Sequence, residues 1–129
     1  MTHSFTCRVY YEDTDLAGIV YYANYLKFIE RARTEFVAEL GVDQMALRAA
    51  DGVVFAVRRV EADYLQPAVF GDDLVVETRV QAVTGARLVL GQDVRRGDAV
   101  LFTSVVTLVA LTESGRPARI PAELRRVLD

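Results

Sequence analysis

Apolar positions along this chain change their spacing twice, and each change marks a change of element. From Phe5 to Tyr11 β-branched and aromatic residues predominate, which predicts a strand. Glu12-Asp13-Thr14-Asp15-Leu16-Ala17-Gly18 is a polar, turn-like stretch that ends in glycine. From Tyr22 to Leu40 the spacing is helical. Tyr22, Tyr25, Ile29, Ala32, Phe36 and Leu40 share one face, while Lys27, Glu30, Arg31, Glu35 and Glu39 mostly take the other. Gly41 follows where a helix ends, and Asp43 opens a second, short helix to Ala50 as its N-cap. Beyond Gly52 the pattern is β throughout. Val53 to Tyr64 is one strand, stopped by Gln66-Pro67, and Leu74 to Val83 is the next, with Val75, Glu77, Arg79 and Gln81 alternating with neighbours of different character. Thr84-Gly85 reads as a hairpin turn, Arg87 to Val94 as a strand, Arg96-Gly97-Asp98 as a turn, and Val100 to Leu111 as the last strand. Ser114-Gly115-Arg116-Pro117 ends it, and Pro121 to Leu128 predicts a terminal helical turn or two with proline at its first position.

One strand, a long helix and four strands joined by hairpin-length turns predict an α+β domain in which one antiparallel sheet carries the helix on one face. The other face is left for the rest of the chain or a second copy to cover, which favours a homo-oligomer. A length of 129 residues suits a single domain spanning residues 1–129. A chain of this size buries roughly two-thirds of its unfolded surface, and 52% hydrophobic residues leave no room for extended disorder.

Charge and composition remove several function classes. Lys and Arg number 15 against 18 Asp and Glu, a net −3, so the basic excess of a nucleic-acid binder is missing. The opening Met1-Thr2-His3-Ser4-Phe5 does not read as a signal peptide. Val100 to Leu111 is too short and too interrupted to cross a bilayer. No membrane insertion and a cytoplasmic location are therefore expected. Cys7, the one cysteine, cannot form an internal disulfide and reads as a small apolar strand residue, because a cysteine nucleophile wants a histidine base. The one histidine, His3, lies close to a terminus expected to be mobile. That scarcity argues against histidine metal sites and Ser-His-Asp triads.

Chemistry concentrates in Tyr10-Tyr11-Glu12-Asp13-Thr14-Asp15-Leu16-Ala17-Gly18-Ile19-Val20-Tyr21-Tyr22-Ala23-Asn24-Tyr25. Three carboxylates precede a long helix, and the plain reading is a solvated acidic turn favoured by the helix dipole. The Asp-x-Asp nucleophile of dehalogenase-type phosphatases needs a buried apolar strand before it and a larger α/β domain behind it. An EF-hand needs a different ligand spacing and a closing Glu. The remaining alternative is a carboxylate beside a helix N-terminus in an acyl-transfer site. Free N–H groups there stabilise an oxyanion, the carboxylate activates water or attacks, and a thiolate leaves without a strong acid. Such a site needs no histidine, no metal and no cofactor.

Asp13 to Tyr25, running into Phe28-Ile29-Glu30-Arg31-Ala32-Arg33-Thr34-Glu35, resembles the signature of hotdog-fold acyl-CoA thioesterases of the 4-hydroxybenzoyl-CoA thioesterase type, and within them the Tol-Pal-associated acyl-CoA thioesterases. The similarity continues through Val53 to Arg59, Asp63-Tyr64-Leu65-Gln66-Pro67-Ala68 and Gly71-Asp72. It implies a five-stranded antiparallel sheet wrapped around a long central helix, and hydrolysis of acyl-CoA to free acid and coenzyme A.

On that resemblance Asp15 is the catalytic carboxylate, as nucleophile or general base, and Tyr22 supplies a backbone N–H to the thioester oxygen. Close relatives often carry His at the latter place, but the backbone role needs only an N–H. Tyr11 matches a tyrosine that positions carboxylate or substrate, against the alternative of a packed strand aromatic. Asp13 reads as a turn or support residue, Asn24 as a cap or cross-site hydrogen bonder, and Gly18 as a turn glycine. Coenzyme A phosphates call for cations, for which Arg58, Arg59 and Arg87 are candidates against the plain alternative of solvated strand arginines. Pocket depth would depend on side chains such as Phe28, Phe55 and Tyr64. Hotdog sites lie between subunits, so a homodimer or homotetramer is implied, with acyl carrier protein as an alternative acyl carrier. Two other readings stand beside this one. A dehydratase of the same fold would need a histidine that this chain lacks at the site. A non-catalytic or dual-role acyl-thioester partner of the Tol-Pal envelope system would bind without turnover.

Overall fold

A computed structural model describes residues 2–128. The strands are β1 (Thr2–Arg8), β2 (Val53–Tyr64), β3 (Asp73–Val83), β4 (Arg87–Arg96) and β5 (Ala99–Thr112). The helices are α1 (Asn24–Glu39), α2 (Gln44–Asp51) and α3 (Ala122–Leu128). The strands form one antiparallel sheet in the order β1-β3-β4-β5-β2. The chain therefore starts at one edge, crosses under α1, and begins its run of hairpins at the opposite edge. The expected sheet wrapped around a long helix is the architecture that forms.

The helical stripe is what seats α1. Tyr25, Phe28, Ile29, Ala32 and Phe36 are buried at intervals of three and four. The first four meet Leu74, Val76, Val94, Phe102 and Val106 from the sheet, and Phe36 meets Leu88, Leu90 and Ala110. Each buried branched or aromatic side chain contributes about 1.5–3 kcal/mol. Gly41 takes φ 84°, the left-handed turn that ends a helix cheaply only with glycine. The Asp43 carboxylate caps α2 by accepting the N–H groups of Met45 and Ala46, both at 3.0 Å. α3 lays Leu124 and Leu128 on Phe36, Leu88, Leu90 and Ala110, closing the far end of the core.

One polar side chain sits in the middle of that interior. Gln92 is fully buried, donates to the Ile29 carbonyl and the Thr78 hydroxyl, and accepts from Arg33, each at 2.9 Å. Every polar group of its amide is thereby matched, the condition for a tolerable buried amide. The opposite sheet face is ionic: Arg79 reaches Asp93 at 3.0 Å, and Arg95 pairs with Glu77.

Several boundaries differ from expectation, among them the end of β4, which runs to Arg96 rather than Val94. The first strand runs from Thr2 to Arg8, not from Phe5 to Tyr11. His3 is consequently not in a mobile end. It pairs with Thr78, and its Nε2 lies 2.8 Å from Glu39. The strand stops early because the Asp13 carboxylate accepts the Tyr10 N–H at 2.8 Å and turns the chain into a 3₁₀ turn, Tyr11–Asp13. The long helix begins at Asn24, two residues later than Tyr22, and Pro121 precedes the last helix rather than opening it. Among the described residues no helix is long and apolar enough to cross a membrane.

Candidate active site

The stretch from Tyr10 to Asn24 is a loop built by its own backbone. Asp15 N–H donates to the Ile19 carbonyl at 3.0 Å, and Gly18 N–H returns to the Asp15 carbonyl at 2.9 Å. Gly18 sits at φ 80°, where a Cβ would be strained. The Asp15 Oδ1 accepts the Ala17 N–H at 2.9 Å, an Asx turn that ties down one carboxylate oxygen. Across the loop, Val20 N–H donates to the Ala68 carbonyl at 2.9 Å, and Ile19 bridges to Val69. The segment from Leu65 to Val69 thus clamps the loop from outside.

The entry to α1 is fixed as tightly. The Asp13 carbonyl accepts two donors, Tyr21 N–H at 2.9 Å and the Asn24 amide at 2.8 Å. Asn24 N–H donates to the Tyr21 carbonyl at 2.8 Å, and Leu26 N–H to the Ala23 carbonyl at 3.1 Å. Among the described residues, the N–H groups of Tyr22, Ala23 and Tyr25 have no acceptor. Such unsatisfied donors at a helix start carry partial positive charge.

Asp15 and Tyr22 line one cavity of about 440 Å³, together with Ile19, Tyr25, Tyr64 and Pro67. Its back wall is aromatic. Tyr25 stacks on Phe102 with centroids 5.0 Å apart, and the Tyr64 ring stands edge-on to both, 5.4 Å from Tyr25 and 5.0 Å from Phe102. The Tyr25 hydroxyl accepts the Ala68 N–H at 3.2 Å, and the Tyr64 hydroxyl donates to the Tyr22 carbonyl at 2.8 Å. Burial pushes both phenols up from the ordinary tyrosine value, so both stay protonated near neutral pH.

A second cavity, about 270 Å³, lies between α1, the sheet and α3. Its walls include Val37, Phe55, Leu88, Leu90, Leu108 and Leu124, with Glu30 and Arg33 on the helix side.

The sequence-derived residues divide accordingly. Asp15 and Tyr22 come together, although Tyr22 precedes the helix rather than belonging to its first turn. Asp13 and Asn24 serve as supports. Tyr11 is neither a packed strand aromatic nor a cavity wall. Its ring is 83% exposed, and it serves the loop through its carbonyl, which accepts the Thr14 hydroxyl at 2.7 Å. Arg58 and Arg59 sit exposed in the middle of β2 and Arg87 at the start of β4, and none of the three lines the Asp15 cavity. Arg58 falls at a bulge in the β2–β5 ladder, and Arg59 lies 3.4 Å from Glu61. Of the side chains expected to set pocket depth, Tyr64 lines the Asp15 cavity, Phe55 the second one, and Phe28 neither, being sealed in the core. Tyr25 and Pro67 were legible only as a helix core position and a strand stop. The spacing Tyr64-x-x-Pro67 is the local signal that they share a wall.

Comparison with known proteins places this geometry. The thioesterase superfamily model matches residues 17–103. The acyl-CoA thioesterase YbgC of Haemophilus influenzae is 40% identical over 124 residues, which cover 95% of this chain and 90% of that one. A probable thioesterase from Bartonella henselae superposes with a TM-score of 0.90 at 35% identity, covering 94% of this chain and all of the other. A 4-hydroxybenzoyl CoA thioesterase variant complexed with 4-hydroxybenzoyl CoA superposes at 0.93 over 99% of both chains; at 21% identity that likeness concerns the fold alone.

Proposed function

The chain belongs to the thioesterase superfamily, and on that premise we propose that it is an acyl-CoA thioesterase whose chemistry runs through Asp15. It hydrolyses acyl-CoA to free acid and coenzyme A. The observation that carries the site is that Asp15 and Tyr22, whose N–H has no acceptor among the described residues, line one cavity.

The thioester carbonyl oxygen accepts hydrogen bonds from the start of α1, where donors without other partners stabilise the charge that grows on it. Ala17 holds Asp15 Oδ1, which leaves Oδ2 to act. Oδ2 either takes a proton from an attacking water or attacks the carbonyl carbon itself, with water then opening the anhydride. In both routes a C–O bond forms, the C–S bond breaks, and the coenzyme A thiolate departs.

A second copy of the chain completes the site in this reading. β2 is a sheet edge with Val57, Val60 and Tyr64 partly exposed along it. Antiparallel pairing of two such edges sets the first half of one strand against the second half of the other. Phe55 and Val57, walls of the second cavity, then approach the partner's Asp15 cavity, giving the acyl chain an apolar chamber beside the reacting carbonyl. Arg58 and Arg59 stand at the junction and Arg87 at the β3–β4 turn, as exposed cations for coenzyme A phosphates.

Asp15→Asn tests the reading. Steady-state hydrolysis of short, long and aromatic acyl-CoA esters should fall by about 10²-fold or more in kcat, with acyl-CoA binding retained. Undiminished turnover would remove Asp15 from the chemistry.

A further inference from the structure

We propose that Tyr64 is a positioning residue that holds the peptide between Tyr22 and Ala23, and with it the orientation of Tyr22, whose N–H receives the thioester oxygen. The inference rests on the thioesterase reading of the Asp15 cavity.

Two adjoining peptide planes meet at Tyr22, the cavity residue whose N–H is unpartnered among the described residues. The plane bearing the Tyr22 N–H ends in the Tyr21 carbonyl, which Asn24 N–H holds from one turn away at 2.8 Å. The plane bearing the Ala23 N–H ends in the Tyr22 carbonyl. A regular helix would give that carbonyl to the Leu26 N–H, but Leu26 bonds to the Ala23 carbonyl instead. Among the described residues, its one donor is the Tyr64 hydroxyl at 2.8 Å, contributed from the far end of β2. A peptide is planar, with C=O and N–H on opposite edges. Fixing a carbonyl therefore fixes its plane, and pinning the carbonyls on both sides of Tyr22 fixes the direction of the Tyr22 N–H. Donation to a carbonyl also polarises its peptide and strengthens the N–H on the other edge.

The brace itself is stiff. The Tyr64 ring is wedged edge-on against Phe102 and Tyr25, and stands 6.3 Å from the ring of Tyr22. Those ring contacts aim the hydroxyl at the Tyr22 carbonyl. Leu65 and Gln66 N–H both donate to the Leu101 carbonyl, at 2.8 and 3.1 Å, and anchor the segment that follows.

Tyr64→Phe removes the hydroxyl and keeps the ring. Its kcat should fall about tenfold, less than the 10²-fold or more that loss of an oxyanion donor costs. KM and Tm should stay close to those of the parent. A KM–kcat split alone does not report on the carbonyl, so the decisive readout is infrared. Isotope-labelled acyl-CoA bound to Asp15→Asn should show its thioester carbonyl band displaced to lower frequency relative to the free ester. In Asp15→Asn/Tyr64→Phe the band should move back towards the free position. Wild-type kcat in Tyr64→Phe, or an unchanged band in the double variant, overturns the positioning role. An undisplaced band in Asp15→Asn, or full turnover by it, overturns instead the reading of the cavity on which the inference stands.

Discussion

Asp72 shows how much of the site's rigidity passes through single side chains. Its carboxylate accepts the Val69 N–H at 2.9 Å and the Arg96 guanidinium at 2.8 Å, and so closes the turn that carries Pro67 and Ala68. Partial burial pushes its pKa up, but the Val69 N–H and the Arg96 charge outweigh this and hold it below the ordinary aspartate value. A lowered folded value means stability that is fully present above the unfolded value, about 3.9, and lost as pH falls through the folded one. Asp72→Asn should thus cost about 1–2 kcal/mol at pH 7, with the difference from the parent vanishing in acid, as denaturant titrations at both pH values would show. At this scale the sequence was legible where chemistry is local. Asp15, Gly18 and Asp13 announce themselves through backbone demands within a few residues. The bond from Tyr64 to Tyr22 spans 42 positions, and no local pattern carries it.

Elements were read well where one period persisted. The stripe from Tyr25 to Phe36 named the buried face of α1, and the turns at Thr84-Gly85 and Gly97 set the hairpins. The misplaced boundaries have a common cause. Tyr10 and Tyr11 have strand composition, and Tyr22 continues the helical spacing, yet the Asp13 carboxylate and carbonyl recruit the N–H groups of Tyr10 and Tyr21. Side-chain and turn hydrogen bonds overrode intrinsic preference at both ends of the loop. Where the capping chemistry was visible, it held: Asp43 does cap α2. Asp43→Ala should lower unfolding stability by about 1 kcal/mol, seen as an earlier urea midpoint. Turnover should be unchanged, because α2 contributes nothing to the Asp15 cavity.

The whole molecule is where the sequence said least. Hairpin turns order β3, β4 and β5, but β1 joins β3 and β2 joins β5 through pairs that are 38 to 77 residues apart. The consequence is a long edge at β2. Val60 stands opposite Val106, whose side chain belongs to the core, yet Val60 remains 38% exposed. If β2 pairs with a second copy as proposed, Val60→Asp places an unpaired carboxylate in that edge, a cost of several kcal/mol. Light scattering should find the parent dimeric or larger and the variant shifted to monomer by about 10²-fold in dissociation constant. Its circular dichroism should be preserved and its turnover reduced. The loop that carries Asp15 is gripped by main-chain atoms: Asp15 to Ile19, Val20 to Ala68, Tyr21 to Asp13. Such bonds are blind to which side chains project from them. Apart from Tyr25 and Tyr64, whose hydroxyls bond to that frame, wall residues can therefore be traded by drift or by design without dismantling the machinery. One catalytic frame is thus free to be retailored to a different acyl group.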